Sequence, residues 1–444
     1  MMNRKKFLTE AGAALMITLL IMVGVVLFVP GAWAASHYRT LHTFTGGETG
    51  SQPFSGLVMD KSGALYGTTY VGGTGACLGQ GCGVVFKLTP ERDDRWADDQ
   101  DEDGGPMQNR DADLRWTESV IYSFTSADGS NPQTASLILD KHGNLYGTTE
   151  YGGIGNCSGN GCGVAFELIR NEDGMWAEKV LHWFTGNVGV DPVDNLTFDA
   201  AGNLYGTTSD WSNGFTGPGV VFKLAPNSDG SWTESILHTF DTLDGYNPSS
   251  GVIFDPKGNL YGTTIYGGDS NNGVVYQLSP NSDGSWTESV IHSFSGDADG
   301  YRPQAGLARD AKGNLFGVTA FGGPTGNGTV FKLTPNRTGG WTFSTIYAFK
   351  EGNDGANSFA SLTPDGEGTL YGTTHDGGAY HCGVVFKLTA APNGMWNEEV
   401  IHAFKDAPSC ESFGNLILDR EGNLYGTTRG DGTTTFGSVF EITK

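Results

Sequence analysis

The sequence has little positive charge and no sustained helical period. Its 444 residues include 26 Lys and Arg against 49 Asp and Glu, which gives a formal net charge of −23. An acidic surface of this kind repels phosphate backbones, so we expect no nucleic-acid partner. Charged residues make up only 17% of the chain, and glycine occurs 69 times. This composition favours a loop-rich β protein over a helical or disordered one.

Motifs for familiar catalytic mechanisms are also missing. The sequence has no Gly-x-Ser-x-Gly elbow, and none of its nine His lies in a nucleophile or metalloprotease motif. The six Cys do not show the Cys-x2-Cys pairs, combined with His, that are typical of zinc sites. The sequence therefore points to no particular reaction.

Only the first segment is apolar enough to cross a membrane. The basic residues Arg4–Lys6 precede an apolar run over Ala11–Val29, and Ala32–Ala34 has the small-x-small pattern that signal peptidase reads. We predict that residues 1–34 are a secretory signal peptide, cleaved after Ala34. The alternative is an uncleaved membrane anchor, because the apolar run is long enough to span a bilayer.

One motif, GNLYGTT in its commonest form, occurs seven times. Successive copies are 80, 59, 56, 55, 55 and 54 residues apart, so one unit repeats seven times with an insertion in the first. The copies lie at Gly63–Thr69, Gly143–Thr149, Gly202–Thr208, Gly258–Thr264, Gly313–Thr319, Gly368–Thr374 and Gly422–Thr428.

Each unit contains four short runs rich in β-branched and aromatic residues. Examples of these predicted strands, a to d, are Ser136–Leu139, Asn144–Thr149, Gly219–Leu224 and Trp286–Phe294. Strands a and b are joined in every copy by Asp-x-x-Gly, which suits a tight hairpin. Four-stranded units at this period predict an all-β fold, a seven-bladed β-propeller of antiparallel blades.

The two ends of the predicted propeller complement each other. The sequence ends after a strand c at 437–443, so the seventh blade lacks its outer strand, while residues 37–44 resemble a strand d without a blade. We predict that 37–44 completes the last blade and closes the ring. Residues 35–444 would then form a single domain.

The repeat unit resembles a known bacterial family. Its form, LxxDxxGNLYGTT followed by GG, GVVFKL and WxExVLHxF, is similar to the GloVer tandem repeat of choice-of-anchor surface proteins. The resemblance covers the whole predicted mature chain. It implies an exported protein and supplies no catalytic residues.

The even number of Cys after a signal peptide indicates disulfides. Cys77–Cys82 and Cys157–Cys162 enclose equivalent Gly-rich b–c loops, short enough for a disulfide. Cys382 occupies the repeat position of Cys82, and Cys410 lies in the connection into blade seven on the same face. We therefore predict a third disulfide, Cys382–Cys410. Six free thiols in a reducing cytoplasm are the alternative, which the leader argues against.

Loops on one face of the propeller could bind a ligand. Four blade-to-blade loops carry an aspartate at one repeat position, with aromatic residues nearby, and such groups suit a sugar or a protein. Ordinary turn chemistry is the alternative for the aspartates. The candidates are Asp128, Asp244, Asp299, Asp354, Trp211, Tyr246, Tyr301 and Tyr380.

The insertion in blade one, residues 97–115, is strongly acidic. It places Asp99, Asp101 and Asp103 in an Asp-x-Asp-x-Asp-Gly turn, and such oxygens suit Ca²⁺. The bidentate Glu of an EF-hand is absent, because Arg110 stands at that position. We predict a weak calcium site, with a solvated acidic loop as the alternative.

Two further sets of residues mark the repeat. Small residues in strand a indicate close packing near the ring axis, and Arg309 is the charged exception in that strand. Five His share one position in strand d, which indicates packing rather than chemistry. The small residues are Gly56, Ser136, Asn195, Gly251, Gly306, Ser361 and Asn415, and the His are His42, His182, His238, His292 and His402.

The sequence leaves two functional hypotheses. The first is a non-enzymatic scaffold that binds a glycan or a protein through loops on one face. The second is an enzyme acting on a polysaccharide or lactone, with a carboxylate pair or a metal at the central channel, where it would break the repeat symmetry. For both we expect a monomer that is secreted, periplasmic or on the cell surface, and bound to a membrane only if the leader stays uncleaved.

Overall fold

The computed structural model describes residues 36–92, 114–133, 136–157, 159–185, 189–209, 217–350, 352–405 and 410–443. Its compact unit, Tyr38–Thr443, is all-β. Within the described residues, 28 strands form seven four-stranded antiparallel sheets. These sheets are the blades of a seven-bladed β-propeller, as predicted. No helix in this part of the chain is long and apolar enough to span a bilayer.

The first four blades follow one another along the chain, each running from strand a at the ring axis to strand d outside. Blade 1 comprises β2 (Val58–Met59), β3 (Leu65–Thr69), β4 (Val84–Arg92) and β5 (Leu114–Ser123). Blade 2 comprises β6 (Ile138–Leu139), β7 (Leu145–Thr149), β8 (Val164–Arg170) and β9 (Trp176–Trp183). Blade 3 comprises β10 (Pro192–Phe198), β11 (Leu204–Thr208), β12 (Val220–Pro226) and β13 (Trp232–Thr239). Blade 4 comprises β14 (Ile253–Phe254), β15 (Leu260–Thr264), β16 (Val274–Pro280) and β17 (Trp286–Ser293).

The remaining blades complete the ring. Blade 5 comprises β18 (Ala308–Arg309), β19 (Leu315–Thr319), β20 (Thr329–Pro335) and β21 (Trp341–Ala348). Blade 6 comprises β22 (Thr363–Pro364), β23 (Thr369–Thr373), β24 (Val384–Ala390) and β25 (Trp396–Ala403). Blade 7 comprises β26 (Ile417–Leu418), β27 (Leu424–Thr428), β28 (Ser438–Thr443) and, as its outer strand, β1 (His37–Thr43).

Strands b and c are buried on both faces because neighbouring blades cover them. All five residues of β3 are buried, and Phe86 of β4 lies opposite Gly67 in the register. A Cβ at Gly67 would lie 2.5 Å from the Phe86 ring, so the motif needs glycine there. Phe86 in turn packs against Phe44 at a ring distance of 5.0 Å. Burial of each such ring contributes about 1.5–3 kcal/mol.

The first aspartate of each a–b turn organises its hairpin. Asp60 Oδ1 accepts hydrogen bonds from the backbone N–H groups of Ser62 and Ala64, and Oδ2 accepts one from the Tyr66 hydroxyl at 2.9 Å. These bonds lower the pKa of Asp60 against the opposing effect of burial. The repeated Asp therefore ties each turn to strand b, in agreement with the predicted turn chemistry.

The N-terminal strand closes the ring. Strand β1 pairs with β28 in the sheet order β1-β28-β27-β26, which confirms the prediction for 37–44. The Arg39 guanidinium lies 2.6 Å from the Glu441 carboxylate, and Glu441 is only 4% exposed. Tyr38 stacks on His402 of blade 6 at 3.9 Å. The closing strand therefore holds both its own blade and its neighbour.

Small residues close the ring axis at the level of strand a. The backbone N–H of Ser136 donates to Asn195 Oδ1 of the next blade at 2.6 Å. Ser361 makes the same bond to Asn415. A Cβ at Gly56 would lie 2.6 Å from Ser136 Oγ, so no larger residue fits there. The expected close packing is therefore present, and Ser361 and Asn415 also line the cavity described below.

The three predicted disulfides are present. The Cα–Cα distances are 4.9 Å for Cys77–Cys82, 5.1 Å for Cys157–Cys162 and 4.5 Å for Cys382–Cys410. The first two close loops within blades 1 and 2. The third joins the b–c loop of blade 6 to the connection that enters blade 7.

Candidate ligand-binding site at the ring axis

A cavity of about 400 Å³, here called the axial cavity, lies at the ring axis on the side of the b–c loops. All seven blades contribute to its lining. Most of these side chains come from two places in the repeat: the residue just before strand a, and the residue just after the LYGTT motif. Strands of fixed register therefore position the lining.

These two repeat positions differ strongly between the blades. The residue that precedes the first of them is Pro in five blades and Ser in two, and the residue that precedes the second is Thr in all seven. The position before strand a holds Phe54, Gln133, Val193, Ser249, Gln304, Phe359 and Phe413. The position after LYGTT holds Tyr70, Glu150, Ser209, Ile265, Ala320, His375 and Arg429.

Blades 6, 7 and 1 form an aromatic wall of the axial cavity. The Phe54 ring lies 5.4 Å from Phe413, and Phe413 lies 5.4 Å from Phe359. Tyr70 continues the wall at 5.5 Å from Phe54. The Arg429 guanidinium covers Phe54 at 4.7 Å. This wall offers flat apolar area with a cation at its edge.

Blades 2 and 3 contribute an acidic wall. Burial is the main cause that raises the pKa of Glu150 to about 7, and the nearby Asp191 raises it further, against a hydrogen bond from Tyr151. Glu150 Oε2 is buried and has no hydrogen-bond partner among the described residues. Burial also raises the pKa of Asp194 to about 6, although its Oδ2 accepts a hydrogen bond from the Gly251 N–H at 3.0 Å.

The backbone of blade 3 is strained beside this acidic wall. Each blade has one non-glycine residue with positive φ just before strand a: Gln52, Asn131, Asp191, Asn247, Arg302, Asn357 and Glu411. In the described part of the chain, blade 3 alone adds a second in its strand a, Asp194, with φ 58°. Such conformations cost about 1–3 kcal/mol and cluster at functional sites. This strain fixes the direction of the Asp194 carboxyl.

A second cavity of about 530 Å³, here called the rim cavity, lies between the b–c loops of blades 1 and 2. Tyr70, Tyr151 and Asn131 line it, together with polar residues of the two disulfide-closed loops. Tyr70 is part of the aromatic wall, and Tyr151 follows Glu150 in the chain. The two cavities therefore share a boundary at Tyr70 and Glu150.

The predicted aspartates lie on the same face but outside the lining of the axial cavity. Each accepts a bond from a strand-d side chain of its own blade. The pairs are Tyr122–Asp128 at 2.7 Å, His238–Asp244 at 3.0 Å, His292–Asp299 at 3.2 Å and Tyr347–Asp354 at 2.6 Å. These bonds give the aspartates a structural role, and a role in ligand binding stays a prediction.

The predicted aromatic residues are dispersed. Tyr246 pairs through its backbone with Tyr266, which lines the axial cavity, and Tyr301 stacks on Phe321 at 5.7 Å. Tyr380 is 50% exposed, with the Lys405 ammonium 5.3 Å from its ring centre. Trp211 and the predicted calcium ligands Asp99, Asp101 and Asp103 lie outside the described residues. Among the described residues, no group of three or more His, Cys, Asp or Glu could hold a metal ion.

Arg309 does not reach the axial cavity. It lines a separate cavity of about 360 Å³ between blades 4 and 5, with Lys257, Lys312 and Trp341. The a–b and c–d turns surround this cavity, so it opens on the opposite face. The charged exception in strand a is therefore a feature of a blade interface.

The repeated His belong to a set of contacts between blades, here called the outer belt. In five blades, the His or Tyr of strand d interacts with a strand-d residue of the next blade that stands four positions earlier in the repeat unit. His182 lies 3.5 Å from Glu234, and Phe343 stacks on His292 at 3.8 Å. The belt consists of His42, Tyr122, His182, His238, His292, Tyr347 and His402, with Glu118, Glu178, Glu234, Glu288, Phe343, Glu398 and Tyr38. The belt confirms that the repeated His pack between blades.

Sequence reasoning missed Glu150, Asp194 and the phenylalanines of the aromatic wall. A signal for them was present, because a comparison of the seven copies shows where a nearly constant repeat becomes variable. Their shared location at the axis becomes visible only in the closed ring, which is why the sequence alone did not single them out.

The fold and the axial cavity define the class of this protein: a closed β-propeller with a cavity at its axis. A family model described as the Gloeobacter/Verrucomicrobia repeat matches residues 111–255 and 255–444. The chain belongs to this repeat family, which confirms the resemblance in its sequence. A comparison with curated proteins finds no match.

Solved structures share the fold at low sequence identity. An ancestral GH74 enzyme has a TM-score of 0.50 and 13% identity, over 88% of this chain and 50% of that one. A gluconolactonase from Xanthomonas campestris has a TM-score of 0.39 and 14% identity, over 68% and 82%. A glucose dehydrogenase-type oxidoreductase from Thermus thermophilus has a TM-score of 0.42 and 15% identity, over 69% and 95%. Such likeness concerns the fold alone.

Proposed function

We propose that this protein binds a glycan in the axial cavity. The observation that carries the proposal is one cavity with an aromatic wall, from Phe54 to Phe359, next to an acidic wall with Glu150 and Asp194. A sugar ring has an apolar C–H face that packs on aromatic rings, and hydroxyl groups that donate to carboxylates. The cavity offers both kinds of contact within the size range of small-ligand sites.

A protein ligand is the weaker alternative for this site. Stable protein interfaces bury about 800 Å² on each partner and are usually shallow. The axial cavity is instead a concave site around the ring axis, with Ser361 and Asn415 in its lining. A cavity of about 400 Å³ suits a chain end or a short segment of polymer.

We also propose that the protein acts outside the cytoplasm. Three disulfides are typical of an oxidising compartment. The predicted leader at residues 1–34 supplies a route of export. The mature protein would be secreted, periplasmic or held at the cell surface.

A glycan array with the mature protein would test the function, followed by calorimetry with each polysaccharide that binds. We expect Phe413→Ala to weaken binding about tenfold, roughly 1.4 kcal/mol, because it removes the centre of the aromatic wall. Tyr380→Ala is the matched control, since this exposed ring lies outside the cavity. If Tyr380→Ala weakens binding and Phe413→Ala does not, the ligand binds around Tyr380 and not in the axial cavity, and the proposal is wrong.

The calcium site stays a separate proposal. Asp99, Asp101 and Asp103 would supply carboxylate oxygens in the acidic insertion. Calorimetry with CaCl₂ should give heat of binding for the mature protein and none for Asp101→Ala. Equal heats for the two proteins would mean that the insertion is merely acidic.

A further inference from the structure

We propose that Glu150 donates a proton to a glycosidic oxygen of the bound glycan, so that the protein hydrolyses the polymer at the boundary between the axial and rim cavities. This inference depends on the proposed glycan binding and adds a reaction to it. It is carried by the position of Glu150 and by a second carboxylate, Asp194, in the lining of the same cavity.

Glu150 stands where the two cavities meet. Its side chain lines the axial cavity, while the next residue, Tyr151, lines the rim cavity. Tyr70 lines the rim cavity, and it contacts Phe54 and interacts electrostatically with Glu150, both of which line the axial cavity. A chain that occupied both cavities would pass Glu150. Each cavity is large enough for a small ligand, so the arrangement suits an oligosaccharide that spans them.

The Glu150 carboxyl group is held in place but not saturated. Its backbone N–H donates to the Asn131 carbonyl at 3.2 Å, which fixes the residue at the end of strand b. Its Oε2 is buried without a hydrogen-bond partner among the described residues. The carboxyl of Asp60, by contrast, accepts bonds from three residues. An unsatisfied buried polar atom is costly, and a ligand oxygen would satisfy it.

The surroundings suit an acid at neutral pH. Burial raises the pKa of Glu150 to about 7, with Asp191 adding to the rise and Tyr151 opposing it. Tyr70 is the other titratable group near Glu150, and the positive charge of Arg429 lowers the pKa of Tyr70. A carboxyl group in this range holds its proton for a substantial fraction of the time and releases it readily, as a general acid requires.

A second carboxylate lines the same cavity. Asp194 has the lower pKa, about 6, so it is mostly ionised when Glu150 is still partly protonated. Glycoside hydrolysis uses such a pair. Glu150 would protonate the leaving oxygen as its bond to the anomeric carbon breaks, while Asp194 accepts a proton from the water that attacks that carbon. Return of this proton to Glu150 through solvent leaves one water added across one glycosidic bond.

The experiment uses the mature protein with xyloglucan, mixed-linkage β-glucan, glucomannan, xylan, pectin and starch. Binding is measured by affinity electrophoresis, and cleavage by the release of reducing ends. We expect the protein to release oligosaccharides, with a bell-shaped pH profile centred between about pH 6 and 7. Glu150→Gln should keep its melting temperature, and its rate should fall at least about 100-fold, far more than its binding weakens. Asp194→Asn should lose rate as well.

Glu178→Gln is the matched control. Burial, followed by Asp128, raises the pKa of Glu178 to about 7, yet this residue lies in the outer belt, so the rate should not change. If a polysaccharide binds and no reducing ends appear, the inference fails while the proposed function stands. If none of the six binds, both fail. A Glu150→Gln protein that keeps its rate, or loses binding and rate together, also overturns the inference. Should this variant not fold, Asp194→Asn and the pH profile of the unmodified protein decide.

Discussion

The outer belt and the axial cavity are built from the same seven repeats, but the belt residues recur from blade to blade and the residues around the axis vary. In the belt, five of seven blades place His at one position and five place Glu at the other. Around the axis, the residue after LYGTT is different in every blade. Ring closure makes the same demand on every blade interface, so the belt repeats. The proposed ligand would touch each blade differently, which would account for the divergence of the copies around the axis.

Among the changes that test the contacts between blades, removal of the closing strand should affect stability most. A protein without residues 37–44 would lose the contacts of Tyr38 and Arg39 and expose the edge of β28. We expect no cooperative unfolding transition and strong aggregation, because exposed strand edges pair between molecules. Thermal unfolding and size-exclusion chromatography would show this. A monomeric protein with an unchanged transition would mean that β1 does not hold the ring.

Removal of the disulfide between blades 6 and 7 should have the second largest effect on stability. The double variant Cys382→Ser/Cys410→Ser is expected to lower the free energy of unfolding by about 3 kcal/mol, since this bond closes a segment of 28 positions. The matched control, Cys77→Ser/Cys82→Ser, opens a loop of five positions and should cost less. Denaturant unfolding of both variants gives the comparison. Equal losses would show that strain or packing, rather than loop length, determines the effect.

The smallest effect should be a pH dependence that arises mainly in the outer belt. Burial is the main cause that raises the pKa of Glu178, Glu234, Glu288 and Glu398 to about 7. A raised carboxyl pKa in the folded state means that folding favours the protonated form. Its contribution is complete below the ordinary pKa of about 4.5 and is lost as the pH rises through 7.

The belt His act in the opposite direction. Burial lowers the pKa of His42, His182, His292 and His402, although Asp299 opposes this at His292. Their contribution is present above about pH 6.5 and is lost below it. Between pH 8 and 6.5 the Glu effect is the larger of the two, because unfolded His is at most half protonated there, and we expect the free energy of unfolding to rise as the pH falls. Glu288→Gln should reduce this slope, measured by denaturant unfolding, whereas an unchanged slope would place its origin elsewhere.

The sequence predicts most of the fold because the same motif recurs in every blade. Seven copies of LYGTT give the blade number, the Asp-x-x-Gly turns give the hairpins, and an unpaired strand at each end gives the closure. The disulfide Cys382–Cys410 could be predicted because the two positions lie on one face of any such ring. All of these inferences need only local pattern and the symmetry of the repeat.

The candidate site could not be predicted in the same way. Glu150 and Asp194 belong to different blades, and both line the axial cavity. Strand a of blade 3 has positive φ at Asp194 in addition to the preceding Asp191, whereas each other blade has one such residue in this region as far as the structure describes it, and no local pattern indicates the difference. The aspartates at Asp128 and its equivalents were more conspicuous, but their carboxylates bond to a His or Tyr six or seven residues earlier.

The pairing of β1 with β28 also determines when the protein can finish folding. Arg39 and Glu441 are 402 positions apart, so their ion pair can form only after nearly the whole chain has been synthesised. Pairing across such a separation is slow, because the entropy of the intervening chain must be lost before the contact stabilises anything. Six blades can form while the seventh still lacks its outer strand. We therefore expect an open ring to precede the closed one in folding, with an edge of β28 exposed to pairing with a second molecule.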